Sequence, residues 1–116
     1  MSEPGDARAV LAAAHERAVA RLASLEREFG GIVEAAQGAS TDDEHDPEGA
    51  TLAFERQHVA ALAQAAREHL ADIDAALARV ADGSYGTCQA CSARISAERL
   101  AARPAARTCV GCARAR

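Results

Sequence analysis

The sequence contains very few aromatic residues: among 116 residues there are two phenylalanines, one tyrosine and no tryptophan. This scarcity disfavours a large globular core and favours thin helices that pack closely together. Lysine is absent, so all 13 basic residues are arginine, and alanine, the strongest helix former, is abundant. No apolar run approaches the ~20 residues that a membrane span requires. We therefore expect a helical protein with no membrane segment.

The N-terminal segment lacks the features of a secretory signal. Residues 1–8 read MSEPGDAR, with no basic cluster and no apolar core region. We therefore expect a cytoplasmic protein, in which disulfides are disfavoured. The sequence also shows no nucleophile–base pair and no phosphate-binding loop, so an enzyme is not expected. The histidines His15, His58 and His69 fall on predicted helices, where we expect them to be partly buried packing residues.

Heptad spacing of apolar residues predicts a first long helix over residues 6–37. Apolar positions recur there every seven residues, in two rows offset by four. The rows are Leu11, Ala18, Leu25 and Ile32, and then His15, Leu22, Phe29 and Ala36. Gly30 and Gly31 interrupt this stripe at a cost of about 1 kcal/mol each relative to alanine. Because the stripe keeps its phase across them, we predict a continuous helix, and a break at this point is the alternative.

A second stripe predicts a helix over residues 47–81. Its rows are Leu52, Val59, Ala66, Ile73 and Val80, and then Ala63, Leu70 and Leu77. Asp46 is a good N-cap, Pro47 suits the first helical position, and Glu48 suits the positive end of the helix dipole. The Asp-Gly pair at 82–83 marks the end of the helix. Two helices of about 33 residues joined by a short polar linker predict an antiparallel coiled-coil hairpin of roughly 50 Å.

Charge is distributed unevenly along the chain. Residues 42–48, DDEHDPE, carry five acids and no base, and they belong to the linker near 38–49 at the tip of the predicted hairpin. Residues 83–116 carry six arginines and one acid, Glu98. These arginines have three interpretations: a solvated surface that offsets the charge of a metal site, contact with an acidic protein surface, or nucleic-acid binding. Direct DNA binding is disfavoured, because the segment has one aromatic residue and no recognition helix of a known motif.

The cysteines form two matched pairs near the C-terminus, in the pattern C-x2-C-x17-C-x2-C. This spacing is typical of a structural zinc site, in which four thiolates surround one ion at about 2.3 Å. The predicted ligands are Cys88, Cys91, Cys109 and Cys112. Segments below about 40 residues rarely fold without such a cross-link, which favours a zinc-finger domain over 83–116 after a hairpin over 1–82. Two disulfides, an iron–sulfur cluster and a redox-labile zinc switch are the alternatives.

A short helix is predicted between the two cysteine pairs, where residues 95–104 read ISAERLAARP. Ser96 is a suitable N-cap and Pro104 ends the helix. We expect this helix to pack Ile95 and Leu100 over the cysteine turns.

The segment DGSYGTCQACSARISAERLAARPAARTCVGC resembles the C-terminal zinc finger of the DksA/TraR family. The matching features are an aromatic-Gly-x-Cys at 85–88, an isoleucine followed by Arg99-Leu100, an Ala-x-Pro ending at Pro104, and the second cysteine pair. The resemblance implies a hairpin that binds bacterial RNA polymerase directly, inserts into its secondary channel and does not itself bind a promoter. It also implies an effect on promoter-complex stability, which some members exert together with the nucleotide alarmone ppGpp.

The resemblance further implies that acidic residues at the hairpin tip approach the catalytic centre of the polymerase. Well-studied members carry Asp-x-x-Asp-x-Ala at the tip, and this chain has HDPEGA from His45 to Ala50. Ala50 and Glu48 match this pattern, whereas His45 stands where the first Asp is expected and Asp46 is displaced by one. The candidate tip residues are Asp42, Asp43, Asp46, Glu48 and Ala50. The alternatives are acids that only cap the helix and solvate a loop, and a zinc-stabilised protein-interaction module with an inactive tip.

Overall fold

The computed structural model describes residues 4–38 and 47–115. In this part the chain forms helices α1 (Pro4–Gly38), α2 (Pro47–Asp82), α3 (Ala97–Ala102) and α4 (Val110–Arg114). Helices α1 and α2 form a hairpin, a four-cysteine cluster follows, and the described ranges contain no β-strand, so the predicted fold class is confirmed. None of the helices in these ranges is long and apolar enough to cross a bilayer. The division into domains at 82–83 stays a prediction.

Helix α1 runs without a break through Gly30 and Gly31, so the prediction of a continuous helix is confirmed. Every member of its first heptad row is buried: Leu11, Ala18, Leu25 and Ile32. Every member of its second row is half-buried: His15, Leu22, Phe29 and Ala36. The seven-residue period therefore identified the packed face of α1 along its whole length.

The C-terminus of α2 confirms the Asp-Gly end signal. Gly83 adopts a φ of 84°, and the backbone N–H of Ser84 donates to the carbonyl oxygen of Arg79 at 3.0 Å. This is the hydrogen-bond pattern of a Schellman motif, which requires the left-handed conformation that glycine adopts without strain. The carboxylate of Asp82 accepts from the hydroxyl of Ser84 at 2.5 Å and from its N–H at 2.9 Å. The hydroxyl bond is the main reason that the pKa of Asp82 lies below its ordinary value.

The chain divides into two compact units, which we call unit 1 (Met1–Arg17 with Leu70–Arg116) and unit 2 (Ala18–His69). Unit 2 has a core of four buried residues: Leu25, Ile32, Val59 and Ala63. Half-buried apolar side chains pack against this core: Leu22, Phe29, Leu52, Leu62 and Ala66. An ion pair joins Glu26 Oε2 to Arg67 Nη2 at 3.5 Å between side chains that are 55% and 49% exposed. A pair this exposed adds little stability, so apolar packing holds unit 2 together.

Unit 1 contains buried apolar residues from both long helices. They are Ala7, Leu11, Ile73 and Ala76. His15 Nε2 lies 3.0 Å from Asp74 Oδ1, so this half-buried histidine links α1 to α2 within the unit. His58 and His69 are exposed. The expectation of partly buried histidines is therefore right for His15 and wrong for the other two, because the apolar stripe of α2 does not include their positions.

Candidate metal centre

The first cysteine pair lies in a tight backbone turn. The N–H of Cys88 donates to the carbonyl oxygen of Ala93 at 2.8 Å, and the N–H of Ser92 donates to the carbonyl oxygen of Cys88 at 2.9 Å. Thr87 and Arg94, on either side of the turn, form an isolated antiparallel bridge. These contacts close the chain on itself, so the two sulfurs of the pair are held on one short, fixed piece of backbone.

Ser92 ends this turn in the left-handed conformation, with a φ of 64°. That conformation costs a residue with a side chain about 1–2 kcal/mol, whereas glycine loses about 0.4–1 kcal/mol through the greater entropy of its unfolded state. We therefore expect Ser92→Gly to raise the free energy of unfolding by about 1 kcal/mol or less. The β-branched Ser92→Val is expected to lower it by about 1–3 kcal/mol.

Urea denaturation of the zinc-loaded protein measures both effects. The control is Ala90→Val, which adds the same side chain to an exposed residue of the same turn whose φ is not positive. Equal losses for the two valine variants would show that the left-handed position carries no special strain.

The second cysteine pair lies at the start of α4. Cys109 is the N-cap residue, and its carbonyl oxygen accepts from the N–H of Ala113 at 3.0 Å. Cys112 follows three residues later, so both side chains lie on the same face of the helix. The sequence did not predict α4, because a helix of five residues is too short to produce a recognisable periodic pattern.

Helix α3, between the pairs, is confirmed. Its N-cap is Ser96, whose hydroxyl accepts from the N–H of Arg99 at 3.1 Å. Ile95, just before the cap, is 4% exposed, and its N–H donates to the carbonyl oxygen of Gly86 at 2.8 Å. A Cβ atom at Gly86 would lie 3.6 Å from Leu100 Cδ1. Ile95 and Leu100 thus pack beside the first cysteine turn, as predicted.

The four sulfur atoms converge on one point. The Sγ atoms of Cys88, Cys91, Cys109 and Cys112 all lie within 4.8 Å of one another. The distance between Cys91 Sγ and Cys109 Sγ is 3.8 Å, and four sulfurs at about 2.3 Å from a tetrahedral ion are separated by about 3.8 Å. All four cysteines lie in the described part of the chain and are free thiols there. The donor atoms and their spacing fit one zinc ion.

The backbone segment 104–108, which leads into the second cysteine pair, is held by an unusual set of contacts. We call it the carbonyl segment, because each of its five backbone carbonyl oxygens accepts a hydrogen bond from outside the segment. The hydroxyl of Tyr85 donates to the carbonyl of residue 104 at 2.7 Å, and Arg79 Nη2 donates to those of residues 105 and 106 at 3.5 and 3.4 Å. The backbone N–H of Gln89 donates to the carbonyl of residue 107 at 2.9 Å, and Arg99 Nε donates to that of residue 108 at 2.7 Å. The carbonyl segment is therefore fixed by three side chains and one backbone N–H rather than by a helix or strand of its own.

Arg79 is a buried charged side chain, only 7% exposed. Burial, followed by the nearby charge of Arg107, lowers its pKa. Arg107, which belongs to the carbonyl segment, forms an ion pair with Asp72 of α2 at 2.8 Å. Helix α2 therefore contacts the carbonyl segment through two residues, Asp72 and Arg79. Arg79 was not predicted from the sequence, because charged residues are usually assigned to the surface. The feature of the sequence that indicates its burial is its position on α2, because it follows the buried residue Ala76 by three positions and the buried residue Ile73 by six.

Comparison with known proteins agrees with this geometry. Residues 83–116, which contain all four cysteines, match the model of the family described as the prokaryotic dksA/traR C4-type zinc finger. The fold is similar to the structure of transcription factor DksA2 from Pseudomonas aeruginosa, with a TM-score of 0.80 and 25% identity, over 97% of this chain and 81% of that chain. The cysteine segment is thus similar to the zinc finger of that family, and the chain as a whole is similar in fold to DksA2. The C-terminal segment of this chain is a four-cysteine zinc finger with a single metal site.

A curated relative of this chain is YteA of Bacillus subtilis (strain 168), which is described as an uncharacterized protein. The two are 41% identical over 69 residues. The match covers 60% of this chain and 29% of YteA. The chain thus spans less than a third of the length of that relative.

The candidate tip residues lie only in part within the described residues. Glu48 lies in the first turn of α2, as predicted, and both Glu48 and Ala50 are exposed. Asp42, Asp43 and Asp46 lie outside the described residues. The structure therefore brings the four cysteines together, while a joint role for the tip residues stays a prediction.

The ionisation of the four thiols explains why this cluster suits a cation. A hydrogen bond from the backbone of Cys109 lowers the pKa of the Cys88 thiol to about 6. Hydrogen bonding to the sulfur of Cys109 is the main cause that raises the pKa of Cys112 to about 12. Four sulfurs this close do not all ionise in the absence of a positive charge. A bound divalent cation supplies that charge and allows four thiolates to coexist.

Proposed function

We propose that this protein is a transcription regulator that binds bacterial RNA polymerase directly. The observation that carries the proposal is the similarity of its fold, over 97% of the chain, to transcription factor DksA2. DksA/TraR proteins are regulatory factors, and the resemblance of the cysteine segment to that family implies the polymerase as partner. In this proposal the protein is not an enzyme and acts in the cytoplasm.

The zinc finger has a structural role in the proposed activity. The proposed ligands of one zinc ion are Cys88, Cys91, Cys109 and Cys112, whose sulfur atoms lie close enough together to hold it. Four thiolates close the coordination shell, so the ion supplies a cross-link and leaves no position open for a substrate. The finger then forms the base from which the hairpin reaches into the secondary channel of the polymerase.

The acidic tip is the part of the proposal that acts on transcription. The proposed tip residues are Asp42, Asp43, Asp46, Glu48 and Ala50. Carboxylates brought near a magnesium-dependent centre perturb the binding of the metal or the nucleotide, since Mg²⁺ prefers oxygen ligands. The nucleotide ppGpp is the first effector to test on the complex, and sequence-specific DNA binding is not part of the proposal.

The binding step is tested by retention of the polymerase. A tagged, zinc-loaded copy of the protein is expected to retain RNA polymerase from a lysate of its own host, and the same tag on an unrelated helical protein is the control. Sedimentation of the purified pair then separates direct binding from an indirect association. No complex between the two purified proteins would contradict the proposal.

The tip is tested by transcription in vitro with the host polymerase. We expect the double variant Asp46→Asn with Glu48→Gln to lose most of its effect on promoter-complex lifetime, since both substitutions remove a carboxylate charge and keep the shape. The control is Glu55→Gln with Glu68→Gln, which removes the same charge from exposed positions further along α2. If the tip variant is as active as the wild type, the acids only cap the helix. The protein then acts as an interaction module with an inactive tip.

A further inference from the structure

We infer that Arg79 is a positioning residue of the zinc site and acts through the backbone that carries Cys109. This inference rests on the zinc site proposed above. Arg79 lies in the last part of α2 and touches none of the four sulfurs in any contact of the described residues. It contacts the carbonyl segment, which ends one residue before Cys109.

Arg79 and Tyr85 hold the first part of the carbonyl segment against the end of α2. The Nη2 atom of Arg79 lies 3.5 Å from the carbonyl oxygen of Ala105 and 3.4 Å from that of Ala106. The hydroxyl of Tyr85 donates to the carbonyl oxygen of Pro104 at 2.7 Å. A guanidinium group is suited to this position, because it is permanently charged and presents several donors in a rigid plane. Without the guanidinium group, the half-buried carbonyl groups of Ala105 and Ala106 lose their hydrogen-bond donor.

The second part of the carbonyl segment is tied to the first cysteine turn. The backbone N–H of Gln89, which lies between Cys88 and Cys91, donates to the carbonyl oxygen of Arg107 at 2.9 Å. Arg99 Nε donates to the carbonyl oxygen of Thr108 at 2.7 Å. The carbonyl segment therefore contacts the end of α2 through Arg79, and it also contacts the first cysteine turn and leads directly into the second cysteine pair.

This arrangement links the Arg79 contacts to the affinity for the metal. A ligand set that is held in the binding geometry for only a fraction of the time has an affinity reduced by that fraction. Removal of Arg79 loosens the first part of the carbonyl segment, and this added freedom of the backbone reduces the precision with which Cys109 is oriented. Groups that orient metal ligands from outside the coordination shell typically change metal affinity by about 10–100-fold. We expect a loss in that range for Arg79→Met, which keeps the apolar stem and removes the guanidinium.

The test is a competition titration of the purified full-length protein with Co²⁺ and then Zn²⁺ against a chelator of known affinity. Co²⁺ is included because its visible absorption reports the geometry of the sulfur shell. The variants are Arg79→Met, Arg79→Lys and two controls. Arg67→Met removes an arginine of the same helix that pairs only with exposed groups of unit 2. Ile73→Val weakens the buried core of unit 1, where Ile73 is 1% exposed, without removing a donor to the carbonyl segment.

The inference predicts that Arg79→Met binds both metals about 10–100-fold more weakly and shows an altered Co²⁺ spectrum. Arg79→Lys should fall between this variant and the wild type, because it restores the charge but not the planar group of donors. Both controls should keep the wild-type affinity, even though Ile73→Val melts earlier. Wild-type affinity in Arg79→Met, or an equal loss in Ile73→Val, would show that Arg79 contributes only stability.

A second variant covers the case in which Arg79→Met does not fold. Tyr85→Phe removes one hydroxyl from the same set of contacts, and we expect it to weaken metal binding by about 2–10-fold, the equivalent of one hydrogen bond. Unchanged affinity in this variant would also contradict the inference. If the wild-type protein itself binds no metal, the zinc site fails and the inference fails with it. Because polymerase takes no part in the titration, its result is independent of the transcriptional role.

Discussion

Replacement of Cys88 by serine is expected to release the zinc ion and to unfold the C-terminal segment. Within residues 83–115 the buried apolar side chains are those of Cys88 and Ile95, which is too little to form a core. A segment of this size depends on the metal, and structural zinc contributes apparent binding free energies of about 10–16 kcal/mol in small fingers. Loss of a group that only orients a metal ligand typically lowers metal affinity by about 10–100-fold. Loss of a ligand itself should have a larger effect, so we expect the affinity for zinc to fall by more than about 100-fold.

Hydrogen exchange with a parallel measurement of bound zinc checks this expectation. In Cys88→Ser, the amides that form the finger, such as those of Cys88, Ile95 and Leu100, should lose their protection, whereas the middle of α1 and α2 in unit 2 should keep theirs. The matched control is Ala90→Ser, which adds a hydroxyl to an exposed residue of the same turn and removes no sulfur. A Cys88→Ser protein that keeps stoichiometric zinc and full protection would contradict the assignment of Cys88 as a ligand.

Leu11→Ala is expected to lower the free energy of unfolding by about 2–5 kcal/mol. The side chain of Leu11 is 0% exposed, and it belongs to the buried set of unit 1 that also includes Ile73 and Ala76. Truncation removes apolar contacts and leaves a cavity that the surrounding helices fill only in part. A loss of this size is a large fraction of the stability of a small domain.

The neighbouring residue provides the control for Leu11. Val10 is 50% exposed, so Val10→Ala removes apolar atoms from the same turn of α1 without opening a cavity, and we expect a change of about 0.5 kcal/mol or less. Urea denaturation of both zinc-loaded variants gives the comparison. Similar free energies of unfolding for the two variants would show that Leu11 does not face the core and that the heptad assignment of α1 is wrong.

The long helices were predictable because their determinants are local and repeated. Four buried residues of α1 recur at intervals of seven, and this regularity outweighs the cost of Gly30 and Gly31. The pattern was less sharp in α2, where Val59, Ala63, Ile73 and Ala76 are buried but Ala66 and Val80 are only half-buried. Alanine occupies many positions around α2, so a small apolar residue there does not by itself mark the packed face.

The metal site was predictable from spacing, whereas its supporting contacts were not. Two pairs of cysteines with two residues between the members of each pair have few uses other than binding one ion. The contacts of Arg79 join residues 26 and 27 positions apart in the sequence. Hydrogen bonds from side chains to backbone carbonyls produce no periodic pattern in the sequence. They also depend on how the chain folds back between the cysteine pairs.

The most direct test of the account is zinc X-ray absorption spectroscopy on protein purified without added metal, combined with elemental analysis. The account predicts one zinc ion per chain, surrounded by four sulfur atoms at about 2.3 Å. A shell that contains nitrogen or oxygen, or a folded protein that carries no metal, would contradict the claim that four thiolates of this protein hold a single zinc ion.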